Sequence, residues 1–99
     1  MFYVYILHSL KDQGLYIGFS TNLKKRLSAY EHGGSVATKY RGPWKLIYYE
    51  AYIERDDAER RERYLKSGGG RRFLHQQLKY YFDKSPVRQA ARGPSGAAT

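Results

Sequence analysis

Two short apolar runs separated by a polar turn open the chain. Phe2-Tyr3-Val4-Tyr5-Ile6-Leu7 and Leu15-Tyr16-Ile17-Gly18-Phe19 flank the segment Ser9 to Gly14. Runs of β-branched and aromatic residues bounded by turn residues predict a β-hairpin. In the first strand Tyr3, Tyr5 and Leu7 share one face, and Phe2, Val4 and Ile6 the other. Both faces are apolar, which places this strand inside a sheet rather than at a solvated edge. The second strand sets Leu15, Ile17 and Phe19 against Tyr16 and Gly18. A glycine within a strand removes a side chain where something must approach closely, either another backbone or a ligand beside Tyr16.

The period then changes from two to 3.6. Leu23, Leu27 and Tyr30 fall at i, i+4 and i+7 and make one apolar stripe of a helix. Ser20, Thr21 or Asn22 can cap its start, and His32-Gly33-Gly34 ends it. Arg26 flanks the stripe as an i, i+4 neighbour of Tyr30, while Lys24 and Lys25 point outward. A polar loop over residues 35–43 leads to a third strand, Trp44 to Tyr52. Strict alternation would put Trp44, Leu46, Tyr48, Glu50 and Tyr52 on one face, with Lys45, Ile47, Tyr49 and Ala51 on the other.

A second main helix, capped by Asp56 or Asp57, is expected to run to about Lys66 with Ala58 and Leu65 inward. Glu62 then lies on the inward half of that helix. Ser67-Gly68-Gly69-Gly70 reads as a break, and a third helix from about Arg71 to Phe82 carries Phe73, Leu74, Leu78 and Tyr81 at helical spacing. Beyond Asp83 the chain turns to Pro, Gly, Ala and Ser, which predicts one domain over residues 1–83 and a flexible basic tail over 84–99.

Composition narrows the function. Ninety-nine residues suit a single domain with a modest core. Without cysteine, a disulfide framework and a thiolate metal site are excluded, and a cytoplasmic setting is expected. His8, His32 and His75 are scattered without ligand spacing, which argues against zinc. No stretch approaches the roughly 20 apolar residues that span a bilayer, and the N-terminus reads as a strand rather than a signal peptide. Membrane partners are therefore not expected. The glycine run lacks the Lys-Ser/Thr of a P-loop.

Charge points to a polyanion. Eighteen Lys and Arg against nine Asp and Glu give +9. The tail contributes Lys84, Arg88 and Arg92, so the remaining 15 basic and 9 acidic residues still leave +6. A small domain that is basic in its body favours nucleic acid. Lys24, Lys25, Lys39, Arg41, Arg71 and Arg72 are the candidate contacts. Eleven tyrosines are many for this length. Exposed ones can stack on bases, whereas most suit half-buried strand positions.

Taken together, Tyr3-Val4-Tyr5-Ile6-Leu7, Leu15-Tyr16-Ile17-Gly18, Asn22-Leu23 with Arg26-Leu27, Thr38-Lys39 with Pro43-Trp44, and Ala58 with Arg61-Glu62 and Leu65-Lys66 resemble a GIY-YIG nuclease domain. More narrowly, they resemble the small stand-alone bacterial members, over residues 2 to about 75. The resemblance implies an α+β fold, a three-stranded antiparallel sheet flanked by helices. It also implies hydrolysis of phosphodiesters with one divalent metal, Mg²⁺ or Mn²⁺. Carried over by residue, Glu62 holds the metal, Arg26 holds the scissile phosphate, Tyr16 activates or positions the attacking water, and Tyr5 supports the site. Tyr30 stands where the family places a His or Tyr after the arginine.

An arginine fork suits phosphate, and one carboxylate plus waters suits a hard cation. Tyrosine, near 10 in isolation, needs a neighbouring cation to act as a base. The sequence departs from the family in three places. Tyr3 replaces its first glycine, Phe19 stands where some branches carry lysine, and Asn22 is the only asparagine, so Gln76, Gln77 or His75 would have to substitute for the asparagine that many members carry on the helix after the metal glutamate. The expected function is metal-dependent endonuclease action by a monomer on single-stranded, duplex or branched DNA, in repair or recombination. A non-catalytic nucleic-acid-binding module is the alternative, and a partner-binding adaptor using exposed tyrosines is a third reading.

Overall fold

The central strand β1, Phe2–Ser9, pairs antiparallel with β2, Leu15–Ser20, on one side and β3, Trp44–Tyr52, on the other. The computed structural model describes residues 1–33 and 39–87. Among the described residues four helices surround this sheet: α1 (Leu23–Glu31), α2 (Arg55–Leu65), α3 (Gly68–Gln77) and α4 (Lys79–Lys84). The α+β architecture is the one expected. The doubly apolar β1 sits in the middle because both of its faces are covered.

Two clusters divide the core across the sheet. Val4, Ile6 and Leu15 meet Ala58 and Leu65 of α2, Leu74 of α3 and Phe82 of α4. On the opposite face, Tyr5 and Leu7 meet Leu23 of α1, with Tyr3, Tyr16, Leu27, Tyr30, Trp44 and Leu46 around them. The alternation of β1 and β2 therefore reads correctly from the sequence.

β3 departs from strict alternation. Ile6 pairs with Tyr48 and Leu7 with Leu46, so Ile47 is an extra residue in the ladder. Such a bulge inverts the facing pattern downstream. Trp44 and Leu46 face α1, whereas Tyr48 and Tyr52 pack on the α2 side and Tyr49 turns to Tyr3. The expectation that Trp44, Leu46, Tyr48, Glu50 and Tyr52 share one face fails for that reason.

The glycine run is also not a break. Ser67 caps α3 by accepting from the Gly70 amide at 3.2 Å, and Gly68–Gly70 form its first turn. A side chain at Gly70 would overlap the Tyr64 carbonyl and the Leu65 backbone, so glycine permits α3 to fold directly back on α2. The single helix expected over residues 71–82 is instead two, because Leu78 interrupts it at φ −115° and ψ 35°. Asp56 and Asp57 do not cap α2. Glu54 occupies that position without a side-chain bond, and the two aspartates lie in the first turn, where the helix dipole favours negative charge.

At the chain's other boundaries, Asn22 caps α1 by accepting from the Lys25 amide at 3.0 Å, and Gly33 follows its end at φ 108°. Packing continues past α4 through Val87, which touches the core. Residues 88–99 of the expected tail, Gly34 of the expected helix end and 35–38 of the expected loop lie outside the described residues.

Candidate active site

The face of the sheet toward α1 carries the tyrosines. Tyr5 of β1 lies across from Gly18 of β2 and from Tyr49 of β3. Its ring occupies the space that a side chain at Gly18 would need. Of the two readings of that glycine, close approach by another part of the chain is the observed one: the Tyr5 ring passes over it. Tyr5 is thereby buried, with 1% of its surface exposed.

α1 closes over this ring. The Tyr5 and Tyr30 hydroxyls are 3.0 Å apart, and the Tyr30 ring meets Tyr5 and Tyr16 edge-on at 6.2 and 6.0 Å. Trp44 packs on the other side of Tyr16, at 5.9 Å. Edge-on aromatic contacts are favourable beyond their area and fix ring orientation. Burial pushes the Tyr5 hydroxyl up from its ordinary value. Tyr30 is pushed up too, by burial and then by its bond to Tyr5. Both remain protonated phenols, able to give and accept hydrogen bonds but unsuited to accepting a proton as bases.

Two opposite charges act on the Tyr5 hydroxyl, Arg26 from α1 and Glu62 from α2. Arg26 is exposed and forms no ion pair among the described residues. Glu62 is half-buried, its side chain 22% exposed, and pairs with Lys66 at 3.1 Å. The sequence pointed to Glu62 through its inward helical position, and the i+4 spacing of Lys66 was the signal for its partner. The structure thus gathers Tyr5, Tyr16 and Tyr30 directly, with Arg26 and Glu62 in electrostatic reach.

The candidate nucleic-acid contacts are more dispersed. Lys24 and Lys25 are exposed on α1, beside Arg26. Lys39 is exposed and lies 5.3 Å from the Tyr40 ring centre. Arg41 is committed elsewhere: it donates to Asp12 at 2.7 Å and stacks on Trp44 at 4.8 Å. That contact draws the Asp12 carboxyl down to about 2. Arg71 is half-buried on α3, and Arg72 is exposed and folds back toward Gly68 and Gly69.

On the far face a polar network escaped sequence reading. Arg61 grips Glu50 with two bonds of 2.8 and 3.0 Å and lies 4.4 Å from the Phe73 ring centre. Tyr48 and Tyr52 donate to the same carboxylate at 2.6 and 2.5 Å. Both phenols are pushed up to about 12, by burial and then by the carboxylate. Four donors on one carboxylate make Glu50 a structural anchor between β3 and α2.

The described residues hold no cluster of three His, Asp, Glu or Cys suited to a metal. A donor set of one accessible carboxylate fits a hard, largely hydrated cation and does not fit a zinc cage.

The three-stranded sheet thus carries the tyrosine cluster and α1, the helix of Arg26, on one face and α2, the helix of Glu62, on the other. The chain belongs to the GIY-YIG family: the family model described as the GIY-YIG catalytic domain matches residues 1–73. Its relatives are small bacterial proteins named UPF0213. One from Clostridium perfringens is 46% identical over 67 residues, covering 67% of this chain and 71% of that protein. Another, from Streptococcus pyogenes serotype M3, is 38% identical over 79 residues, covering 79% of this chain and 82% of its own. The solution NMR structure of a UPF0213 protein from Bacillus halodurans superposes with a TM-score of 0.52 at 27% identity, covering 92% of this chain and all of that one.

Proposed function

We propose that the protein is a metal-dependent endonuclease that hydrolyses DNA phosphodiester bonds in the cytoplasm, in repair or recombination, with structure-selective or weakly sequence-specific action. The observation that carries this reading is the cluster of Tyr5, Tyr16 and Tyr30, joined by the Tyr5–Tyr30 hydroxyl contact, on a chain that matches the GIY-YIG catalytic domain, with the exposed Arg26 on the same helix as Tyr30.

Arg26, without an ion-pair partner among the described residues, binds the scissile phosphate through its planar fork. Tyr16, wedged between Tyr30 and Trp44, orients the attacking water in line with the bond that breaks. Tyr5 and Tyr30 stay protonated and hold that arrangement by hydrogen bonding. Glu62 would hold a divalent ion, Mg²⁺ or Mn²⁺, which would supply Lewis-acid charge neutralisation to the reacting phosphodiester. Lys24 and Lys25 extend the positive rim along the DNA backbone, and Lys39, Arg71 and Arg72 supply further cationic contacts.

The Lys66–Glu62 pair favours one alternative, a nucleic-acid-binding module that has lost catalysis, because the carboxylate already has a cation. Cleavage of labelled single-stranded, duplex and branched DNA by wild type and Glu62→Gln, with Mg²⁺, Mn²⁺ or chelator, separates the two. Metal-dependent cutting abolished in the mutant supports the nuclease. Salt-sensitive binding by both proteins without product supports the module.

A further inference from the structure

Beside the tyrosine cluster, on the same face of the sheet, lies an open groove of about 550 Å³. Its floor is Leu23 and Leu27 of α1 with Leu46 of β3, its wall is Tyr3 and Tyr49, and Thr21, Asn22 and Lys24 form its rim. The size falls within the roughly 300–1,000 Å³ typical of small-ligand sites.

Three features specify what fits. Tyr3 and Tyr49 have ring centres 6.1 Å apart at a tilt of 59°, so they are not stacked flat on each other. Tyr49 is 52% exposed and leaves an aromatic face open to the groove. The rim offers polar groups without partners among the described residues: the Asn22 Oδ1 caps α1, but its side-chain Nδ2 and the Thr21 hydroxyl make no bond there. Finally, Lys24 gives the rim the positive sign of the whole chain.

An aromatic face, an apolar floor, hydrogen-bonding groups at the edge and a cation beside them match a nucleotide whose base has left the stack. The groove also continues the proposed site. Tyr49 is the cross-strand neighbour of Tyr5, and Tyr3 lies two residues from Tyr5 on the same strand face, about 7 Å away. That step is on the scale of one nucleotide along an extended strand.

We propose that this groove binds an unpaired nucleobase flanking the phosphate at Arg26, and so makes the protein select single-stranded or unpaired nucleic acid. The inference rests on the function proposed above. A base within a duplex is paired and stacked and cannot enter the groove without being flipped out.

The test is fluorescence anisotropy in chelator with a labelled oligodeoxyuridylate, its oligouridylate counterpart and a duplex of the same length. Wild type is compared with Tyr49→Ala, Tyr49→Trp and, as a remote exposed control, Tyr80→Ala. Single strands are expected to bind wild type more tightly than duplex. Tyr49→Ala weakens single-strand binding by roughly 5- to 150-fold, the range for one lost base stack, and leaves duplex binding unchanged. Tyr49→Trp restores it and Tyr80→Ala has no effect, while the tighter of the two single strands identifies the sugar. Unchanged single-strand affinity in Tyr49→Ala, or an equal loss on duplex, overturns the groove assignment even where Glu62-dependent cutting persists. Absence of salt-sensitive binding to any of the three removes both the groove and the function on which it rests.

Discussion

The hydroxyls of Tyr5 and Tyr30, 25 residues apart in sequence, meet at 3.0 Å and join the central strand to α1. One partner is buried strand and the other is the last apolar position of an amphipathic helix. The contact therefore fixes the helix over the sheet as well as the site. Tyr30→Phe keeps the ring contacts and removes the bond, leaving the Tyr5 hydroxyl without its partner. The expected cost is about 1–2 kcal/mol in denaturant unfolding, with DNA cleavage falling about tenfold or more as positioning loosens. Wild-type cleavage in this variant would contradict a positioning role for Tyr30.

Gly18 should tolerate no side chain. A methyl there overlaps the Tyr5 ring and hydroxyl, and Tyr5 is held by packing on every side. Gly18→Ala is expected to lose about 1–3 kcal/mol, an overpacking cost, and to lower Tm by roughly 4–20 °C for a domain of this size. An unaltered melting curve would show that Tyr5 can move.

Lys66 competes for the carboxylate assigned to the metal. The pair is half-exposed on the lysine side, and such pairs contribute up to about 1 kcal/mol. Lys66→Ala is therefore expected to tighten Mn²⁺ binding by up to about fivefold, read as paramagnetic broadening of resonances around Glu62. Weaker binding in Lys66→Ala would instead make the lysine a support for the site.

Acid stability should carry the signature of Asp12. The Arg41 hydrogen bond holds its carboxyl at about 2 against an ordinary 3.8. The folded value is the lower one, so the stabilisation is complete above the ordinary value and is lost as pH falls from 3.8 through about 2. Its size is at most about 2 kcal/mol. Asp12→Asn should unfold more easily than wild type at pH 7, with the gap closing toward pH 2. A gap that is constant across that window would assign the effect to something other than ionisation.

Gly70 makes a separate demand. Because a side chain there meets the Tyr64 carbonyl and Leu65 backbone, Gly70→Ala forces α3 away from α2. A loss of about 1–3 kcal/mol is expected, whereas Gly68→Ala, which is exposed, should change little or stabilise slightly through helix propensity.

These two glycines also explain where sequence reading succeeded and where it stopped. The three strands, α1, α2 and the two-faced β1 were legible because their apolar periods are strong, although the facing of β3 beyond its bulge was not. The run Gly68-Gly69-Gly70 was misread because intrinsic propensity says break, while Ser67 capping and the close approach at Gly70 say helix. Local preference yields to a tertiary contact that the sequence does not display. The Glu50–Arg61 network was missed for the same reason: its members lie on different elements, and only the folded register brings four donors to one carboxylate. Tyr5, Tyr16, Arg26, Tyr30 and Glu62 were named through a family pattern, and the geometry that unites them depends on helices packed on opposite faces of the sheet. Arg41 looked like a free cation on charge alone, since nothing in the sequence couples it to Asp12 across 29 positions.

The extra residue at Ile47 gives β3 two phases. Before it, even-numbered residues look toward α1; after it, odd-numbered ones do. A single strand thereby supplies Leu46 and Tyr49 to the open groove and Glu50 to the clamp beneath. Loss of one residue here would leave the strand's composition almost intact yet exchange its two surfaces, turning a charged anchor outward and an aromatic wall inward. In β3, spacing is as much a functional trait as residue identity.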